Sequence, residues 1–139
     1  QTLCGDSAEG VFDMLATYID DRGADFEARW KERMGYDASI SCESVAYDCA
    51  LCFIEMLNDC YEKYGVLDSA TIYKFGCEEV QTGNWVYDTS IMQASYQWEP
   101  GRLSPVVGED AFYNAVGQVQ NGEFVAVWPA SRAAEDPAF

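Results

Sequence analysis

The chain has 139 residues, about half of them apolar, with 8 basic and 24 acidic side chains, no histidine and a net charge of −16. That length supports one hydrophobic core and a single globular domain over 1–130 followed by a flexible tail over 131–139, and the apolar fraction excludes a disordered chain. The lack of histidine removes every nucleophile that relies on an imidazole base and every metal site built on His, while the negative charge excludes binding to nucleic acid or an anionic membrane surface.

In chain order, Asp6, Ser7 and Glu9 resemble a helix start, and Val11, Met14, Leu15, Tyr18 and Ile19 recur at helical spacing up to Gly23. A second helix is expected over 25–34, where Phe26, Trp30 and Met34 form one ridge, Asp25–Arg29 and Glu27–Lys31 pair charges four apart, and Gly35 stops the run. A third helix, capped by Ser41 or Ser44, runs from Val45 to Tyr64 and Gly65 and is the longest and most apolar. Beyond Gly65, the segments 71–80 and 85–98 are rich in aromatic and β-branched residues and predict strands, with a turn at 88–90. After the Pro100-Gly101 turn, Glu109 and Asp110 open a predicted fourth helix that presents Phe112, Val116 and Val119 and closes at Asn121-Gly122. Phe124 to Trp128 predicts a last strand. The fold class expected is α+β, with helices from the N-terminal half packed on an antiparallel sheet from the C-terminal half.

Six cysteines, Cys4, Cys42, Cys49, Cys52, Cys60 and Cys77, are many for so short a chain and predict a secreted protein stapled by disulfides. The polar start at Gln1 carries no signal-peptide pattern and reads as a mature or trimmed terminus, and no apolar run is long enough to span a bilayer. On an ideal helix Cys49, Cys52 and Cys60 lie within about 80° of one another, on the face of Val45, Phe53 and Met56, so all three are expected to point inward. Cys60 stands too far along the axis to reach either of the others. If Cys49 and Cys52 also stay unpaired with each other, each takes a partner from Cys4, Cys42 and Cys77. Cys49-Ala50-Leu51-Cys52 has redox-motif spacing but lies within a helical run rather than at a helix start after a strand. Four cysteines on one helix cannot converge on zinc, and Asp20 to Asp25 has the outline of a calcium loop with Arg22 where a ligand oxygen is needed. No metal and no cofactor are therefore expected. Asp20 and Asp21 would sit at the C-terminus of the first helix, where acids are unfavourable.

Arg22, Arg29, Lys31 and Arg33 are half of all basic residues and fall within a dozen positions, a local island on an acidic chain. Within it Arg29, Trp30 and Arg33 are the candidate partner-binding residues, with Trp30 as apolar anchor. Trp85 and Trp98, with Tyr87 and Tyr96, are the candidate stacking platform for a glycan, against the plainer reading of core aromatics. No spacing among the acids singles out a catalytic pair, so no catalytic residue is expected. A carboxylate-based glycoside hydrolase stands as the enzymatic alternative.

In size, cysteine count and lack of catalytic signatures the chain resembles the small secreted cysteine-containing proteins that fungi and other host-associated microbes release as effectors or toxins. That resemblance implies a non-enzymatic virulence protein that binds a host or extracellular protein. An acidic body would favour a partner with a basic surface, and a glycan is the alternative ligand.

Overall fold

The computed structural model describes residues 5–131 and 133–138. It contains three α-helices and two antiparallel sheets, a mixed α+β fold. The chain divides into two compact units, one spanning Tyr18–Tyr113 and the other built from the stretches that flank it. Among the described residues no helix is long and apolar enough to cross a membrane.

In the larger unit, helix α1 covers Arg22–Met34 and ends at Gly35 with φ of 80°. The chain therefore begins a helix where the sequence suggested one would end. Asp20 and Asp21 precede an N-terminus, where the helix dipole favours acids. The Asp20 carboxylate accepts from the Arg22 amide and from Nε of Arg22, both at 2.9 Å. Gly23 is buried, and a Cβ there would lie 2.1 Å from the Tyr18 ring, so only glycine admits that ring against the first turn. Neither predicted charge pair on this helix forms: Nε of Arg29 donates to the Asp25 carbonyl, and Lys31 pairs with Asp37 at 2.7 Å.

Helix α2 covers Val45–Tyr64, is preceded by a wide turn over Ile40–Ser44 and ends at Gly65 with φ of 71°, as its apolar run and glycine stop predict. Its inward face is shifted from that expected, with Cys60 buried and Cys52 and Met56 packed against the core as predicted. Asp48, Ser44 and Cys60 are buried, whereas Cys49 is exposed, Cys52 is half-buried and Phe53 is 54% exposed. The reason is polar: the buried Asp48 carboxylate accepts from Oγ of Ser90 at 2.7 Å, from the Ile91 amide at 2.9 Å and from the Tyr96 hydroxyl at 2.9 Å. One turn earlier, Ser44 and the Tyr18 hydroxyl share a 2.6 Å hydrogen bond. Three donors on one carboxylate compensate for its removal from water.

Helix α3, Ser69–Phe75, occupies part of the segment that predicted a strand. Asp68 and Thr71 form a reciprocal capping box, with the Thr71 amide donating to Asp68 Oδ1 at 2.8 Å and the Asp68 amide to Thr71 Oγ1 at 3.0 Å. That local pair outweighs the strand preference of Ile72, Tyr73 and Phe75. A wide turn, Gly76–Val80, follows. Of the long strands expected over 85–98, only β2, Val86–Tyr87, and β3, Tyr96–Gln97, remain, paired antiparallel. Between them Ser90 Oγ accepts from the amides of Met92 and Gln93 and folds the chain into a turn that keeps 90–93 buried. The core of this unit is Cys60, Phe75, Trp85 and Tyr87.

The smaller unit is a three-stranded antiparallel sheet in the order β1-β4-β5, made of Phe12–Leu15, Ala115–Gln120 and Glu123–Trp128. Two predicted helices become strands here. The N-terminal one is a short 3-10 turn, Gly5–Ala8, followed by β1, whose Phe12 faces Gln118. The C-terminal one is β4, and its supposed stop, Asn121-Gly122, is the two-residue turn of the β4–β5 hairpin, with φ of 54° and 79°. Those two positive φ values match the natural twist of a hairpin, which Asn-Gly accommodates with little strain. The Glu9 carboxylate accepts both turn amides. Residues 133–138, expected as part of a flexible tail, run back along this sheet, with the Ala134 amide on the Ala126 carbonyl at 2.9 Å and the Ala138 amide on Gln118 Oε1 at 2.8 Å.

The Asp48 cluster sets the first test. Replacing Asp48 with Ala strands three buried donors and should cost about 3 kcal/mol, whereas Tyr96→Phe removes one hydrogen bond and should cost about 1 kcal/mol. Urea midpoints of the two variants read the difference. Equal, near-zero losses would show that the cluster does not hold the unit together.

Candidate functional site

Helix α1 carries the first site. Phe26, Trp30 and Met34, the ridge legible in the sequence, face Tyr47 of α2 with Arg29 and Arg33 at the sides, and these six residues line an open cleft of about 370 Å³. Phe26 is buried, with its ring 4.5 Å from that of Tyr47 and 5.8 Å from that of Trp30. Tyr36 meets the Trp30 indole edge-on at 5.9 Å. Arg29 lies over the Tyr47 ring, 6.0 Å from its centroid, and donates weakly to the Tyr47 hydroxyl at 3.4 Å. The Trp30 Nε1 atom is buried and has no hydrogen-bond partner. Arg33 is exposed and has no ion-pair partner among the described residues. The cleft therefore combines aromatic faces with two guanidinium groups, which favour a group that brings acceptors to apolar surface.

The structure thus brings Arg29, Trp30 and Arg33 together and places Trp85 and Trp98 elsewhere. Trp85 and Tyr87 are core residues, 7% and 0% exposed. Trp85 stacks on Tyr87 at 6.4 Å and Tyr87 on Tyr96 at 5.9 Å, in a ladder that Trp98 joins 6.3 Å from Trp85. One side of this ladder faces Cys49, Cys52 and Met56 of α2 across an apolar pocket of about 360 Å³. Sequence reasoning missed Tyr47 and this pocket, because both depend on which residues of α2 face inward. The sulfur spacing of Cys49, Cys52 and Met56 along one helix was the available signal.

The five described cysteines, Cys42, Cys49, Cys52, Cys60 and Cys77, are free thiols, and Cys4 lies outside the described residues. No cluster of three or more Cys, Asp or Glu side chains among the described residues is placed to hold a metal ion. A third, shallow cleft gathers Asp59, Glu62 and Glu79 around Lys63. Two of its acids are engaged: Asp59 accepts from the Trp85 indole at 2.7 Å, and Glu79 is hydrogen-bonded to Lys63, whose ammonium that contact holds above its ordinary range. Compared with protein families, with curated proteins and with solved structures, the chain matches none.

Burial dominates the titration of the aromatic pocket. It pushes the Cys52 thiol up to about 11 from an ordinary 9.0 and the Tyr87 phenol up to about 12 from 10.0, and the negative charge of Asp48 acts in the same direction. Tyr96 also rises, through burial first and then Asp48. The folded chain holds these protons more tightly than the unfolded one, so their contribution to stability is present below about pH 9 and is lost as pH climbs from there toward 12. Urea midpoints should accordingly fall between pH 9 and pH 11. In the reduced chain at pH 9, iodoacetamide should label exposed Cys42 and Cys49 before Cys52, with buried Cys60 last, as mass mapping of the adducts would read. Midpoints that stay level across this range, or Cys52 labelled first, would contradict the buried, protonated state of that thiol.

Proposed function

We propose that the chain is a secreted, non-enzymatic interaction protein, effector- or toxin-like, that binds an extracellular or host protein through the α1 cleft. One observation carries the reading: on a chain of net charge −16, Arg29 and Arg33 flank the Trp30 ring in one cleft, and Arg33 has no ion-pair partner among the described residues. A guanidinium beside aromatic faces gains when a partner supplies carboxylate oxygens and covers the rings. Six cysteines in 139 residues support an oxidising compartment. The five described cysteines are free thiols in this structure, and no pairing among them enters the proposal.

Two electrostatic roles separate in this reading. The acidic body attracts a partner that is basic overall and raises the association rate, an effect that salt screens. The cleft supplies short-range anchoring and so governs dissociation. Capture from candidate host tissue by the folded protein, beside Trp30→Ala and Arg33→Glu variants, tests the proposal. A protein retained by the parent and lost with both variants supports it, and the purified pair should then show affinity falling by about tenfold or more for either change. Capture of nothing specific, or of the same protein by all three baits, would overturn it.

A further inference from the structure

The pocket beside the aromatic ladder belongs to neither the α1 cleft nor the proposed docking face. It is lined by Cys49, Cys52, Phe53 and Met56 of α2 and by Val80, Trp85, Tyr96 and Trp98. We propose that this pocket is a binding site for a small, flat, uncharged hydrophobic molecule.

Three observations define that ligand. No Asp, Glu, Lys or Arg is among the lining residues, and burial keeps the Cys52 thiol neutral, so a charged guest would be desolvated without compensation. The polar atoms of two of its walls are engaged elsewhere. The Trp85 indole N–H donates to Asp59 and the Tyr96 hydroxyl to the buried Asp48, which leaves these rings to offer faces and edges rather than hydrogen bonds. A sugar stacked there would forfeit most of its hydroxyl hydrogen bonds, whereas an aromatic or polyene guest forfeits none. Finally, Trp85 and Trp98 lie 6.3 Å apart with their planes inclined at 31°, and the sulfur atoms of Cys49, Cys52 and Met56 are polarizable partners for a π-surface. A volume of about 360 Å³ falls in the range of small-molecule sites and admits a guest of two or three fused or linked rings.

Phenylnaphthylamine, an uncharged two-part aromatic probe whose emission rises on leaving water, serves as test ligand for the full chain. Saturable binding of one probe per chain is expected. It should weaken by about tenfold or more in Cys49→Phe, where a ring replaces a thiol at a lining position, and likewise in Val80→Trp, which enlarges another lining side chain. Two variants at different walls keep the test decisive if one of them fails to fold, as a thermal melt would reveal. Arg33→Glu should leave probe binding unchanged while acting on the α1 cleft, which separates failure of this site from failure of the proposed docking face. The proposal is overturned if no saturable binding occurs, if a folded pocket-filling variant binds as the parent does, if Arg33→Glu abolishes binding, or if glucose oligomers displace the probe.

Discussion

Much of the larger unit depends on one buried carboxylate. Asp48 sits on α2 with no exposed surface and gathers a hydroxyl, a backbone amide and a phenol from a stretch of chain that begins 42 residues later. Because the segment between β2 and β3 has little regular structure, its backbone lacks the ladder partners a strand would have, and side-chain oxygens of Asp48 and Ser90 take their place. The same helix leaves Cys49 and Phe53 exposed at the apolar pocket, of which Tyr96, held by Asp48, is a wall.

Charge and apolar surface are arranged in complementary ways. The acids are spread over the chain, while half of the bases fall within a dozen positions around α1, where only Arg22 and Lys31 form ion pairs. Arg29 and Arg33 instead border aromatic faces. In the aromatic pocket the Trp85 indole N–H and the Tyr96 hydroxyl are engaged by Asp59 and Asp48, so the same residue types that make the body acidic also leave these two walls apolar toward the pocket.

The sequence was most legible where a single local signal dominated. The ridge of Phe26, Trp30 and Met34 and the glycine at Gly35 predicted α1, and the run from Val45 to Gly65 predicted α2. Where two signals competed, the weaker one was followed. Asn121-Gly122 reads as a helix stop or as a hairpin turn, and the antiparallel pairing of 115–120 with Glu123–Trp128 shows that the turn governs. Asp68 and Thr71 cap a helix in a segment whose aromatic content suggested a strand. Val11, Met14 and Leu15 fit a helical template, yet pairing with β4 takes them into a sheet. The candidate site was half legible for the same reason: five residues of the α1 cleft lie on one helix and could be read together, whereas Tyr47 and the pocket walls meet only through the fold. The inward face of α2 was not legible, because apolar periodicity carries no information about a buried acid whose donors lie far along the chain.

The smaller sheet is assembled from both ends of the chain. Glu9 holds the turn at Asn121 across 112 residues, and among the described residues β1 pairs with β4 alone. During synthesis, then, the N-terminal strand leaves the ribosome long before the strand that completes it, while every contact internal to Tyr18–Tyr113 can already form. Until β4 is made, β1 with its exposed Phe12 and Met14 lacks that partner and stands open to wrong pairing, and the time needed to finish translation, rather than the intrinsic speed of hairpin closure, sets the length of that exposure.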